Sequence, residues 1–242
     1  MPNKLMLPVV VIIRHAQSEW NREGRFTGWA DPSLTDFGRD EAVRAAGALA
    51  EAGYSFDRVY TSRLSRARET ADIVMRESGN TGIPVCADWR LNERHYGALQ
   101  GEDKIAMAGR VGEDQVWRWR RGYLDRPPRL LDNDPEHPVH DPRWADIDPR
   151  QLPNGESLAA TRERVMDFWR EVIAPQIVDG KRLLISSHGN TLRALIMALH
   201  DMSVAEVEDF EIPTGVPIVY AFSPKGEPIG WHYLDNDTAQ AA

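Results

Sequence analysis

Two histidines stand at comparable places in this chain. Arg14-His15 closes the apolar run Val9 to Ile13, and Ser187-His188-Gly189-Asn190 follows the run Leu183 to Ile185. Both runs are β-branched or leucine-rich and too short for a helix that must bury itself, so each predicts a strand covered on both faces. In open parallel sheets the ligand crevice lies at the carboxyl ends of strands. A histidine delivered there beside an arginine or a Gly-Asn turn suits a phosphate site with a nitrogen nucleophile. Packing of one histidine and turn-capping by the other is the plainer alternative, but two equivalent strand ends favour chemistry. A neutral imidazole can attack phosphorus and hold the phosphoryl group as an N–P adduct, dividing a difficult transfer into two steps. Nearby guanidinium groups disfavour a further positive charge and keep the nucleophilic nitrogen unprotonated. Arg14, and Arg66 near the start of a helix, are placed by topology for this and for forked hydrogen bonds to phosphate oxygens. His188 can be cationic and stabilise charge on the transferring group. Glu93 is the candidate to take the proton of an accepting hydroxyl, with a pKa raised by neighbouring phosphate dianions. A surface ion pair with Arg94 is its bland alternative.

The elements that must position these groups read as alternating strands and helices. After the first strand, Gln17 to Leu34 is polar and rich in Gly and Trp, which predicts a long functional loop. Thr35 is the expected N-cap of a helix with Ala42, Ala46 and Leu49 on one face. Phe56 to Thr61 predicts a strand, and Ser62 or Ser65 starts a helix with Ala67, Ala71 and Val74 on one face. Pro84 to Ala87 predicts a short strand. Seven prolines between Pro127 and Pro153 exclude a continuous helix or a central strand there. Ahead of them, Val111 to Tyr123 carries Trp117, Trp119 and the basic set Arg118, Arg120, Arg121. An i, i+2 tryptophan pair points in different directions on a helix, so packing accounts for at least one. Helical spacing returns with Leu158, Val165, Trp169 and Val172, and again with Leu192, Leu195, Ile196 and Leu199 after the strand Leu183 to Ser187. Glu206-Val207-Glu208-Asp209 reads as a solvated helix face. Pro217 to Phe222 and the alternating Ile229, Trp231, Tyr233 predict a hairpin with an antiparallel edge strand. The expectation is one α/β domain over 1–242, a mostly parallel sheet flanked by helices. A subregion inserted at about 100–156 would drape over the site, and 235–242 would form a mobile tail.

Composition narrows the functions. A net charge of −8 opposes nonspecific nucleic-acid binding and attachment to an anionic membrane, without excluding a local basic pocket. Cys86 is the single cysteine, so there is neither an intrachain disulfide nor a thiolate zinc site. His137-Pro138-Val139-His140, near Asp134 and Asp141, has a metal-like spacing without a supporting ligand cluster, so no metal is expected. No apolar run approaches a membrane span, and the amino terminus lacks a signal-peptide cleavage pattern. A cytoplasmic protein is expected.

Five stretches carry a resemblance. Arg14-His15-Ala16-Gln17-Ser18-Glu19-Trp20-Asn21, Phe26-Thr27-Gly28-Trp29, Leu91 to Gly101, Trp119-Arg120-Arg121-Gly122 and Ser187 to Arg193 resemble the cofactor-dependent phosphoglycerate mutases of the histidine phosphatase superfamily. The likeness runs from the first strand to Tyr233. The Arg-His pair alone supports only the superfamily, whereas the Glu93 block and the Trp-Arg-Arg segment are more specific. The resemblance implies that His15 is phosphorylated, that Glu93 donates and accepts the proton, and that His188 stabilises the transition state. Arg14, Ser18, Asn21, Arg66, Gly189 and Asn190 would grip the phosphoryl group. Thr27, Gly28, Arg94, Tyr96, Lys104, Arg120 and Arg121 would hold the rest of the phosphoglycerate. It further implies 2,3-bisphosphoglycerate as primer, interconversion of 3- and 2-phosphoglycerate, and a homodimer or homotetramer. The family usually reads Arg-His-Gly where this chain has Ala16. A backbone at positive φ, or one passing close to a phosphate, would be strained by that methyl group. A phosphatase using the same phospho-His15, and a noncatalytic phosphate-binding relative, are the competing functions.

Overall fold

A computed structural model describes residues 7–234. The tail expected over 235–242 lies outside the described residues. The chain opens with β1 (Val9–Arg14) and α1 (Glu19–Arg22), a short helix inside the expected loop, and then α2 (Asp36–Glu51). The Thr35 hydroxyl accepts from Gly38 N, as its place before α2 requires. Next come β2 (Arg58–Thr61), α3 (Ser65–Glu77) and β3 (Val85–Ala87). Helices α4 (Lys104–Val111) and α5 (Glu113–Arg121) are divided by Gly112, whose φ of 92° ends the first. From there to residue 157 the chain makes 3₁₀ turns, three of them opening on a proline. α6 (Leu158–Phe168) continues through a π-helical turn, Trp169–Ile173, into α7 (Ala174–Val178). Pro175 has no N–H to give the carbonyl four residues back, and the wider turn precedes it. The remaining elements are β4 (Leu183–Ser187), α8 (Gly189–His200), α9 (Val204–Asp209), β5 (Pro217–Phe222) and β6 (Pro228–Tyr233).

The six strands form one sheet in the order β3-β2-β4-β1-β5-β6. β3, β2, β4 and β1 are parallel, and the antiparallel edge is the β5–β6 hairpin. Alternation along β1 divides the core. Val10 and Ile12 face a cluster with Leu158, Val165 and Leu195, while Val11 and Ile13 face Ala42, Leu49 and Val74. Helices therefore cover both faces, as apolar parallel strands require. One register decides the site. Arg14 is paired with Ser187 at the carboxyl ends of β1 and β4, so the next residues, His15 and His188, leave the sheet side by side.

α9 is not wholly a solvated face. Glu206 and Asp209 are exposed, but Val207 is buried, and Glu208 accepts from Tyr123 N at 2.9 Å. Among the described residues no helix is long and apolar enough to cross a membrane.

Candidate active site

His15 is buried, and its Nδ1 lies 2.7 Å from the Ala16 carbonyl oxygen. A carbonyl can only accept, so the proton sits on Nδ1 and the lone pair on Nε2. Arg66 Nε donates to that Nε2 at 3.2 Å, which is consistent with the same tautomer. Burial first, then the charges of Arg66 and Arg14, push the His15 pKa well below the usual imidazole value. The ring is neutral, and its nucleophilic nitrogen carries no proton but accepts from Arg66. The Ala16 backbone is not at positive φ. Asp201 is the only non-glycine residue at positive φ among the described residues, and the Ala16 methyl lies in the apolar core below α2.

Arg66 is itself buried, donating to the Gly28 and Ala30 carbonyls at 2.8 Å each. Burial lowers its pKa to about 10, so it stays charged at neutral pH. Arg14 donates to the Ile212 carbonyl at 2.6 Å and leaves a buried Nε without a partner. An unsatisfied buried guanidinium donor is costly, and an anion in the cleft would satisfy it. Gly189 stands over this group, where a Cβ would lie 3.4 Å from Arg14 Nε.

Glu93 is buried and is no surface ion-pair member. Its Oε1 accepts from the backbone N–H groups of Arg94 at 2.8 Å and Asn190 at 3.2 Å. The second donor belongs to the first turn of α8, where the helix dipole favours a carboxylate. The Arg94 guanidinium points elsewhere. It stacks over the Tyr96 ring and donates to the Tyr96 hydroxyl and to the Trp119 and Arg120 carbonyls, at 3.1, 2.6 and 2.7 Å. Those carbonyls are at the carboxyl end of α5, so Arg94 holds the helix end that presents Arg120 and Arg121.

His188 is held differently from the cation that the sequence allowed. Its Nε2 is 2.7 Å from Ser62 Oγ, and its Nδ1 is buried without a partner. Its ring centroid is 5.0 Å from that of His15. Burial first, then Arg66 and the neighbouring His15, hold its pKa well below the usual value, which favours the neutral ring. Ser18 also differs. It is fully buried and caps α1, its hydroxyl and backbone N–H donating to Asn21 Oδ1 at 3.0 and 3.1 Å. That occupies the Asn21 oxygen, and Asn21 rather than Ser18 lines the cleft.

The cleft holds about 660 Å³ of space between its walls, part of it open to solvent. Arg14, Arg25, Arg66, Lys104, Arg120, Arg121 and Arg193 line it against a single acid, Glu93. Seven cations line the cleft with one carboxylate, although Arg25 also pairs with Glu23 and Arg121 with Glu211, and in a chain of net charge −8 this local excess of positive charge suits a multiply charged anion. Thr27, Gly28, Tyr96, Gly189 and Asn190 complete the walls. Although burial of the phenol opposes it, the Arg94 charge and hydrogen bonds from Arg94 and Asn190 lower the Tyr96 pKa.

The model of the histidine phosphatase superfamily, branch 1, matches residues 10–137 and 130–229. The chain belongs to the histidine phosphatase superfamily. Within the superfamily it is 46% identical over 227 residues to a 2,3-bisphosphoglycerate-dependent phosphoglycerate mutase of Hamiltonella defensa. That alignment covers 94% of this chain and 91% of the relative. The superfamily fold is shared with a putative alpha-ribazole-5'-P phosphatase from Escherichia coli, with TM-score 0.71 and 22% identity over 96% of this chain and 97% of that one. A mycobacterial glucosyl-3-phosphoglycerate phosphatase gives TM-score 0.69 and 22% identity over 93% and 97%.

Sequence reasoning missed three residues on the walls of this superfamily member's cleft. Arg25 sits at the rim, donating to Glu23 and to the Gly101 carbonyl. Arg193 holds Asn190 Oδ1 at 3.0 Å and the Arg121 carbonyl at 3.2 Å, and Ile212 supplies the carbonyl for Arg14. Arg193 lies one helical turn after Asn190, and that spacing was the only signal available.

Proposed function

We propose that the protein interconverts 3-phosphoglycerate and 2-phosphoglycerate through phospho-His15. The observation that carries this is a neutral imidazole, with its Nε2 lone pair at Arg66, in a cleft where seven cations meet one carboxylate. The 46% identity to a mutase of that name supports the substrate class. The cationic walls and the unpartnered Arg14 Nε fit 2,3-bisphosphoglycerate, which when bound supplies the phosphoryl group that loads His15.

The Nε2 lone pair of His15 bonds phosphorus as the donor oxygen departs. In the return step a substrate hydroxyl oxygen bonds phosphorus, the N–P bond breaks, and the electron pair returns to Nε2. Glu93 takes the hydroxyl proton and later gives it back to a departing oxygen. Arg14, Arg66, Asn21 and the Gly189-Asn190 backbone hold the transferring phosphoryl group. Thr27, Gly28, Tyr96, Lys104, Arg120 and Arg121 hold the rest of the phosphoglycerate, and Arg94 acts by fixing the end of α5. A phosphate dianion beside His188 raises that ring's proton affinity, so its positive charge belongs to the occupied site. The reading also carries a cytoplasmic location, a homodimer or homotetramer, and activity without a metal ion.

The test is incubation with labelled 2,3-bisphosphoglycerate, followed by conversion of 3-phosphoglycerate with and without that primer in the presence of a chelator. We expect an acid-labile, base-stable phosphoryl group on His15, and primer-dependent mutase activity that the chelator leaves intact. Label on another residue, or activity lost to the chelator and restored by manganese, would refute the mechanism.

A further inference from the structure

The chain reaches Glu93 from the 3₁₀ turn Trp89–Leu91, and four successive carbonyls, those of Arg90 to Glu93, are held by side chains from distant segments. Ser187 Oγ donates to the Leu91 carbonyl at 2.8 Å, and Thr191 Oγ1 donates to that of Asn92 at 2.6 Å. Trp29 Nε1 donates to that of Glu93 at 2.7 Å. One side chain spans this set. Arg164, on α6, donates through one terminal nitrogen to the Arg90 and Asn92 carbonyls, at 2.8 and 2.9 Å. Its other terminal nitrogen reaches the Glu93 carbonyl at 3.0 Å. Arg164 does not line the cleft.

A buried guanidinium needs a counter-charge, and Glu156 supplies it. Arg164 Nε and a terminal nitrogen meet the two carboxylate oxygens at 2.7 and 2.8 Å, with both side chains more than nine-tenths buried. The same carboxylate accepts from His95 N at 2.8 Å, and Glu156 N donates to the His95 carbonyl at 2.8 Å. The loop is thus tied before Glu93 by Arg164 and after it by Glu156. A forked, planar cation fits three carbonyls where a lysine ammonium would be a point charge on a flexible stem.

We infer that Arg164, held by Glu156, is a positioning residue for Glu93: it fixes the backbone from which the carboxylate reaches the cleft. The inference rests on the proton-handling role proposed above for Glu93. A buried ion pair is weak evidence for stability in itself, since burial costs both charges their hydration. Its value here lies in orientation. Displacement of a reacting group by about 1 Å can cost roughly 10²-fold in rate, and this pair holds the carbonyls of Arg90, Asn92 and Glu93 and the backbone of His95 around one such group.

The experiment is a double-mutant cycle on the full chain with Arg164→Lys and Glu93→Gln, reading kcat and KM for 3-phosphoglycerate across pH. Arg164→Lys is expected to lower kcat by about 10- to 100-fold, with KM held within about threefold, because the misplaced carboxylate slows proton transfer and leaves the anion clamps in place. In the Glu93→Gln background the same change should cost less than about threefold, since there is no carboxylate left to misplace. The acidic limb of the kcat profile, which reports the carboxylate that must be ionised to take the proton, should also shift in Arg164→Lys and not in the double variant. Equal losses in both backgrounds, or a loss confined to KM, would overturn the inference and leave Arg164 a structural residue. Should Arg164→Lys fail to fold, Glu156→Gln combined with Arg164→Met removes both charges together, which a buried pair tolerates better than loss of one partner. That variant is read in the same cycle. Near-normal mutase activity in Glu93→Gln alone would instead refute the role of Glu93, and this inference with it.

Discussion

Arg66 Nε lies 3.2 Å from His15 Nε2, and the same guanidinium spans the Gly28 and Ala30 carbonyls. One buried cation thus links the nucleophile to the Thr27–Asp31 loop and depresses the imidazole pKa. Arg66→Gln should raise the His15 pKa toward its ordinary value and remove a clamp on the phosphoryl group. We expect kcat/KM to fall by about 10- to 100-fold at pH 7.5 and further towards pH 6, where more of the imidazole is protonated. The check is the pH dependence of His15 phosphorylation. A profile parallel to that of the wild-type protein would show that Arg66 does not set the imidazole's charge.

Glu93→Gln keeps the shape and the acceptor for the Arg94 and Asn190 N–H groups but removes the base. Turnover should slow by about 10²- to 10⁴-fold while KM stays close to that of the wild-type protein. Single-turnover transfer from phospho-His15 to 3-phosphoglycerate measures the step directly. Retention of most of the rate would reduce Glu93 to a cap on α8.

Arg120 and Arg121 belong to the cleft through α5, whose end Arg94 secures. Replacing both by alanine should cut mutase kcat/KM by at least about 100-fold, at about 1.5–3 kcal/mol for each charge-assisted contact. Hydrolysis of a small monophosphate without a second anionic group should change far less. Equal losses on both substrates would mean that the pair supports His15 or the fold.

Stability should depend on pH through buried imidazoles. Burial and neighbouring positive charge depress His15 and His188 well below their ordinary value, and burial holds His95 at about 4. A histidine depressed in the folded state binds its proton more readily when unfolded. Its contribution is complete above the unfolded pKa near 6.5 and is lost as pH falls below it, at about 1.4 kcal/mol per pH unit for each ring. The lowered carboxylates, Glu156, Asp57 and Asp141, lose their contribution only below their own unfolded values near 4. The window from pH 6.5 to 5 therefore isolates the histidines. Urea denaturation of the unliganded protein should show a marked loss of stability across that window, and a flat response would contradict the neutral assignments.

The sequence by itself determined the elements and the principal actors. Apolar runs marked β1 and β4 because alternation and length are local properties, and Thr35 announced α2 because a cap acts within three residues. His15 and His188 were legible because each directly follows such a run, and Glu93 because its neighbours carry a family signature. The tertiary structure decided what these groups face. The Arg14–Ser187 register brings the two histidines together from positions 173 residues apart. Burial beside Arg66 and His15 lowers the His188 pKa and favours the neutral ring, although its sequence neighbours allow a cation. Arg94 follows Glu93 in the chain, yet it turns away to hold α5, and Ser18 closes α1 instead of meeting the ligand. Arg25 enters the cleft without a local signal, Arg193 with no signal beyond its spacing from Asn190, and Arg164 reaches the Glu93 carbonyl across 71 residues. Such choices are made by burial and by pairing between distant segments. A residue's charge and its hydrogen-bond partner depend on solvent exclusion and on which backbone groups are still unsatisfied nearby, and neither quantity exists until the chain has packed.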